Sequence, residues 1–263
     1  MSMTQRIFLP VEAEEFYAEH QKDPKTGAII EYAIPLALAA MQSKGYTGAT
    51  TPMILAAKSV SERSHMLWLK WLTATTGIFQ GYSAAGNPYV VITHGDHYFT
   101  NPDNVRTAIA AGVHNGAGEI PQSEFQKYLD MKDDKNVFVI DHHVLAKSHS
   151  GSITVDEAYQ HPLPMPLAGG SDEADAYLKQ HKNVIGKNIW IYHTNDLNKG
   201  KVVGRLAVLG NYVVNFSFDS NNFLDNGARF VGVPLSIAEG DAKKIIAPTL
   251  EQIFAILEEA SEE

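Results

Sequence analysis

Three apolar runs in this sequence end in histidine and aspartate. Tyr89-Val90-Val91-Ile92-Thr93 leads into His94-Gly95-Asp96-His97, Asn136-Val137-Phe138-Val139-Ile140 into Asp141-His142-His143, and Ile189-Trp190-Ile191-Tyr192 into His193-Thr194-Asn195-Asp196. Residues two apart on an extended chain point to the same side, so His94 with Asp96, and Asp141 with His143, can each face one site. Imidazole nitrogen and carboxylate oxygen suit zinc or manganese, and a water held between them becomes a nucleophile near neutral pH. The expected ligands are His94, Asp96, His97, Asp141 and His143. His193 joins them if its strand runs parallel to the other two. The cofactor this set implies is a divalent transition metal, zinc or manganese.

Two further residues are expected near the chemistry. Glu119 follows the glycines of His114-Asn115-Gly116-Ala117-Gly118 and is a candidate base. His149, which with Lys147 and Ser148 follows the Asp141 cluster, is a candidate catalytic group or substrate contact. Against all of these stands a plainer reading: histidine and aspartate also cap strands and make turns, and Asp96 or Asp141 would then bond its own loop backbone. His20, His65, His114, His161 and His181 each stand apart from a cluster and read as satisfied or solvated side chains.

Val139-Ile140-Asp141-His142-His143 resembles the signature from which the DHH phosphoesterases take their name, and the resemblance implies a two-metal site beside Asp141 and His143. It covers about five residues. His94-Gly95-Asp96-His97-Tyr98 does not match that family's first motif. His94 and Asp96 after an apolar strand also look like the metal strand of the zinc aminopeptidases, whose later glutamate pair is missing here. Neither family is claimed.

These side chains need elements to position them. Short, continuous, β-branched runs such as Tyr89–Thr93 and Asn136–Ile140 read as strands covered on both faces. With helices between them, they predict an α/β fold: a mixed sheet with helices packed on it, partly parallel in the N-terminal half, with an antiparallel meander in the C-terminal half. Parallel strands would bring the His94 and Asp141 clusters to one sheet edge, where ligands bind in open α/β sheets. Val11–His20 reads as a short helix, Glu31–Ser43 as a second, and Pro52–Leu72 as a long apolar helical region that is core or interface. His161–Gly170 reads as a surface loop, and Thr249–Glu259 as a closing helix. One globular domain over 1–263 is expected, with a helical part over about 1–85 and a sheet-containing body over about 86–263.

With 44% hydrophobic and 19% charged residues the chain can bury a sizeable core, and a net charge of −9 lacks the basic footprint of a nucleic-acid binder. There is no cysteine, which removes thiol chemistry and disulfides. No stretch has the length and apolarity of a membrane span, and a cytoplasmic location is the default. The expectation from these residues is a metal-dependent hydrolase acting on a small-molecule phosphoester, amide or related bond, with no nucleic acid and no membrane as partner, and with homo-oligomer formation left open. The competing class is a non-catalytic binding or assembly protein whose histidines are structural.

Overall fold

The computed structural model describes residues 12–194, 197, 200–210, 217–220 and 223–235. The expected closing helix at Thr249–Glu259 and the residue Asp196 lie outside them.

The organising element is Leu72–Tyr82, buried at every position but its last. It pairs antiparallel with Pro88–His94 on one side and with Val202–Leu209 on the other. Beyond Pro88–His94 comes Val137–Asp141, again antiparallel, and this strand ends the sheet. Beyond Val202–Leu209 come Ser217–Asp219, Asn188–Tyr192 and Gly151–Thr154, with Ala117–Ile120 also pairing to Val202–Gly204. Side chains alternate between two cores across this sheet. Ile78, Val90 and Ile92 join Trp68, Tyr177 and Leu178 on one face, whereas Phe79, Val91 and Leu206 join Ile34, Phe99, Phe125 and Tyr128 on the other. Helices Thr51–Lys58, Pro164–Ala168 and Ser171–Val184 supply the first face, and Ala33–Ser43, Pro102–Ala110 and Gln122–Asp130 the second. The fold is α/β with a mixed sheet and helices packed on it.

A smaller sheet ties the two ends of the described chain together. Glu14–Ala18 pairs with Ala228–Pro234, which also pairs with Tyr46–Gly48. Arg229 holds this junction: its guanidinium lies 4.5 Å from the Tyr17 ring centroid and 5.6 Å from that of Trp71, and it is ion-paired with Glu15.

Several expectations change. The strands at Pro88–His94 and Val137–Asp141 are antiparallel neighbours, and the parallel pair is Trp190–Tyr192 with Ser217–Asp219. Within Val11–His20, the residues Glu14–Ala18 form a strand, because their pairing with Ala228–Gly232 outweighs a weak helical spacing. The long tryptophan-rich helix divides into Thr51–Lys58 and Met66–Leu69 before the strand Leu72–Tyr82, so the part expected to be helical contributes the central strand. The threonines of Leu72–Tyr82, with Ile78, Phe79 and Tyr82, favour extended backbone, and its two glycines disfavour a helix. His161–Gly170 contains the helix Pro164–Ala168, whose Leu167 and Ala168 are buried. Trp68 is core: it is fully buried and stacked on Tyr177 at 5.9 Å.

Candidate functional site

Antiparallel pairing separates the two clusters that were to share a site. Asp141 lies opposite Tyr89, five residues before His94, about 17 Å along the strand at the usual rise per residue. Among the described residues, no group of three or more His, Asp or Glu side chains is placed to hold a metal ion.

The histidines are instead bound to backbone. His94, at the end of Pro88–His94, is buried; its Nε2–H donates to the Pro166 carbonyl at 2.7 Å, which leaves Nδ1 to accept from the Thr76 hydroxyl at 3.0 Å. Thr76 in turn accepts from the Thr51 amide, and the Thr51 hydroxyl donates to the Leu167 carbonyl. Two strands, a helix start and the Pro164–Ala168 segment are joined in one polar chain. His97 donates from Nε2 to the Thr75 carbonyl and accepts the Phe99 amide at Nδ1. His161 repeats that geometry, with the His149 carbonyl and the Leu163 amide as partners. His181 donates to the Asn188 carbonyl. Burial removes water from these four imidazoles and lowers each pKa to about 4, so all are neutral at pH 7. A neutral imidazole with one nitrogen donating and the other accepting has no lone pair left for a metal.

The other expected residues have local roles. Asp96 is exposed, accepts from the Thr100 hydroxyl at 2.8 Å and lines an open depression of about 500 Å³ with Gln42, Asn101, Asp103 and Arg106. Asp141 caps the helix His142–Lys147 by accepting the His143 amide, and the His143 side chain is exposed. The Asp-His-His run is therefore a helix start, and its likeness to the DHH signature ends there. Glu119 forms an ion pair with Lys201 across adjacent strands. The glycine loop before it is a tight hairpin, with Asn115 at φ 47° and Gly116 at φ 78°. The His193 ring lies 5.7 Å from that of His161, and its Nε2 is 3.1 Å from Ser148 Oγ. Ser148 donates to the Leu145 carbonyl, so it is a turn residue rather than a nucleophile poised on His193. His149 is exposed and contributes its carbonyl to His161.

What the sequence reading missed lies on Asn188–Tyr192. Ile189 and Ile191 are buried, while Asn188 and Tyr192 are exposed and Trp190 is half-buried on the opposite face. The Trp190 and Tyr192 rings stack with centroids 5.6 Å apart, and the exposed Ser152 lies opposite Trp190 on the next strand. The signal was the alternation in Asn-Ile-Trp-Ile-Tyr, which marks a strand with one open face. Around this strand the sequence changes character: eight of the chain's fourteen asparagines fall between Asn188 and Asn226. Asparagine, tyrosine, tryptophan and serine are the residues with which binding loops make adaptable polar contacts around rigid aromatic anchors.

No protein-family model matches the chain, and no curated protein does. A solved structure does, one described as "Accommodation of massive sequence variation in Nanoarchaeota by the C-type lectin fold". The two are 38% identical, with a TM-score of 0.73, over 84% of this chain and 97% of that one. This similarity, with the committed histidines, overturns the reading as a metal-dependent hydrolase and the metal-binding assignment that went with it. An identity of 38% over 84% of this chain and 97% of the solved one places this protein in the same family of C-type lectin fold proteins.

Proposed function

We propose that this protein is a non-catalytic binding protein that meets its partner through the open face of Asn188–Tyr192. The observation that carries the reading is the division of labour on that strand: Ile189 and Ile191 fill the core, and Trp190 and Tyr192 stack on the other side. An aromatic pair held rigid by the sheet loses little entropy on binding, and this makes it a good anchor. The family relative supports the reading, since its fold is described as accommodating massive sequence variation. A scaffold accommodates variation where its variable positions contribute little to the core.

The stability contrast between the two sides of the strand tests this. Trp190→Ser with Tyr192→Ser is expected to change unfolding free energy by no more than about 1 kcal/mol, as for surface positions. Ile189→Ala and Ile191→Ala should each cost about 2 to 4 kcal/mol through lost burial and a cavity. Urea unfolding followed by circular dichroism reads both, and equal losses on the two sides would make Trp190 and Tyr192 core.

A further inference from the structure

The strand Val137–Asp141 ends the large sheet, yet its sequence, Val-Phe-Val-Ile-Asp, is that of a strand covered on both faces. Phe138 and Ile140 pack against one core and Val139 against the other, and all three remain half-buried. Edge strands are normally shielded by charge, proline or a bulge, because a bare apolar edge is a template for another strand. This one pairs with Pro88–His94 in an unbroken register.

The register shows which backbone groups are open. The His94 amide donates to the Asn136 carbonyl, and in an antiparallel ladder the groups facing a given partner recur every second residue. Phe138 and Ile140 therefore direct their amides and carbonyls to Pro88–His94, and Val137, Val139 and Asp141 direct theirs outward. The Val137 amide is bound to the Asp134 carbonyl. That leaves the Val137 carbonyl, both groups of Val139 and the Asp141 amide along the outer edge, with no backbone partner among the described residues.

The geometry points to a second copy of this chain as the occupant, pairing antiparallel through Val137–Asp141 about a two-fold axis at Val139. In that register Val139 faces Val139 of the second copy and the two exchange both hydrogen bonds. Each Asp141 amide donates to the opposite Val137 carbonyl, so every open group on the edge is satisfied. The Val137 amide, already bound to the Asp134 carbonyl, does not add the further bond to the opposite Asp141 that a full ladder would have. Charge agrees: Lys135, just before the strand, comes to the end where Asp141 of the second copy lies, and both are exposed. The exposed Met131 and Val144 flank the two ends of the strand and add apolar surface. This pairing uses the sheet edge away from Trp190 and does not depend on the binding reading.

A short strand pair buries less than a standard interface, so a dimer with Kd on the order of 10 µM is expected. Sedimentation equilibrium of the full chain from about 1 to 300 µM should show the mass rising from one chain towards two. Val139→Pro removes one outward amide without touching the ladder to Pro88–His94, and should give a monomer throughout with native circular dichroism. Lys135→Glu, which leaves the strand intact, should weaken the dimer roughly tenfold, and adding Asp141→Lys to it should restore most of that loss. A parent protein that stays monomeric across this range overturns the proposal. So does a dimer that Lys135→Glu leaves unchanged, or one that a folded Val139→Pro protein still forms.

Discussion

Acidification from pH 7 to about 4 is expected to unfold this protein, and four of its buried histidines are the reason. Burial holds His94, His97, His161 and His181 at a pKa of about 4, against 6.5 for an unfolded histidine. Below pH 6.5 the unfolded chain takes up protons that the folded chain refuses, so stability falls as pH falls, and the loss levels off below pH 4. Each histidine is worth up to about 3 kcal/mol over that window, and four together reach on the order of 10 kcal/mol. That equals the whole stability of a typical domain. Near-UV circular dichroism between pH 7 and 4 should show a cooperative loss of tertiary signal. Carboxylates with lowered pKa, such as Glu157 and Asp175, add to the loss only at the acid end, from their ordinary values of 4.5 and 3.8 downward. His181→Gln keeps a donor for the Asn188 carbonyl and should flatten the pH dependence by roughly a quarter. A native spectrum at pH 4 would mean that these imidazoles accept protons in place, and the structural role assigned to them would fail.

Replacing Lys58 with methionine should stabilise the protein, an unusual outcome for a buried residue. Lys58 is 1% exposed and ends the helix Thr51–Lys58. Its ammonium lies 5.2 Å from the centroid of the Trp68 ring, which itself packs on Tyr177 and His181, and no carboxylate pairs with it among the described residues. Burial lowers its pKa from 10.5 to about 7. The folded state thus binds this proton more weakly than the unfolded state. The cost of Lys58 is full below pH 7, shrinks as pH rises from 7 to 10.5, and is gone above that. A shift of that size, caused by burial alone, amounts to about 5 kcal/mol, and the attraction of the ammonium to the Trp68 ring offsets about 1 to 2 kcal/mol of it. After allowing for imperfect packing of the new side chain, Lys58→Met should gain about 3 kcal/mol at pH 6. Urea unfolding at pH 6, 8 and 10 should show the gain narrowing with pH. A methionine variant less stable than the parent at pH 6 would mean that the charge is compensated.

How much of this was legible in the sequence depends on whether the signal was local. The strand positions around Val90, Phe138 and Ile191 follow from apolar runs, and the helix at Ala33–Ser43 from its spacing. The direction of pairing was not local. The run at Val137–Asp141 reads the same whether parallel to its neighbour or antiparallel, and the convergence of His94 with Asp141 depended on that one choice. Leu72–Tyr82 was hidden because its threonines and glycines follow a tryptophan-rich segment of helical spacing. The hairpin at Asn115-Gly116 carried a strong turn signal, while its glycines were read as a loop beside the candidate base Glu119. The strand-end histidines were plain in the sequence as residue types only. Their partners are backbone carbonyls and amides brought in from distant segments, such as Pro166 for His94, and no spacing along the chain announces those.

The binding face carries the account, and one measurement reaches it directly. A displayed library of the chain, with Asn188, Ile189, Trp190, Ile191 and Tyr192 each randomised, can be sorted once for protease resistance and once for capture by immobilised proteins and glycans. The account predicts that substitutions at Asn188, Trp190 and Tyr192 persist in the folded pool while changing what is captured, and that substitutions at Ile189 and Ile191 vanish from it. Depletion of all five positions alike, or capture indifferent to Trp190 and Tyr192, would contradict it.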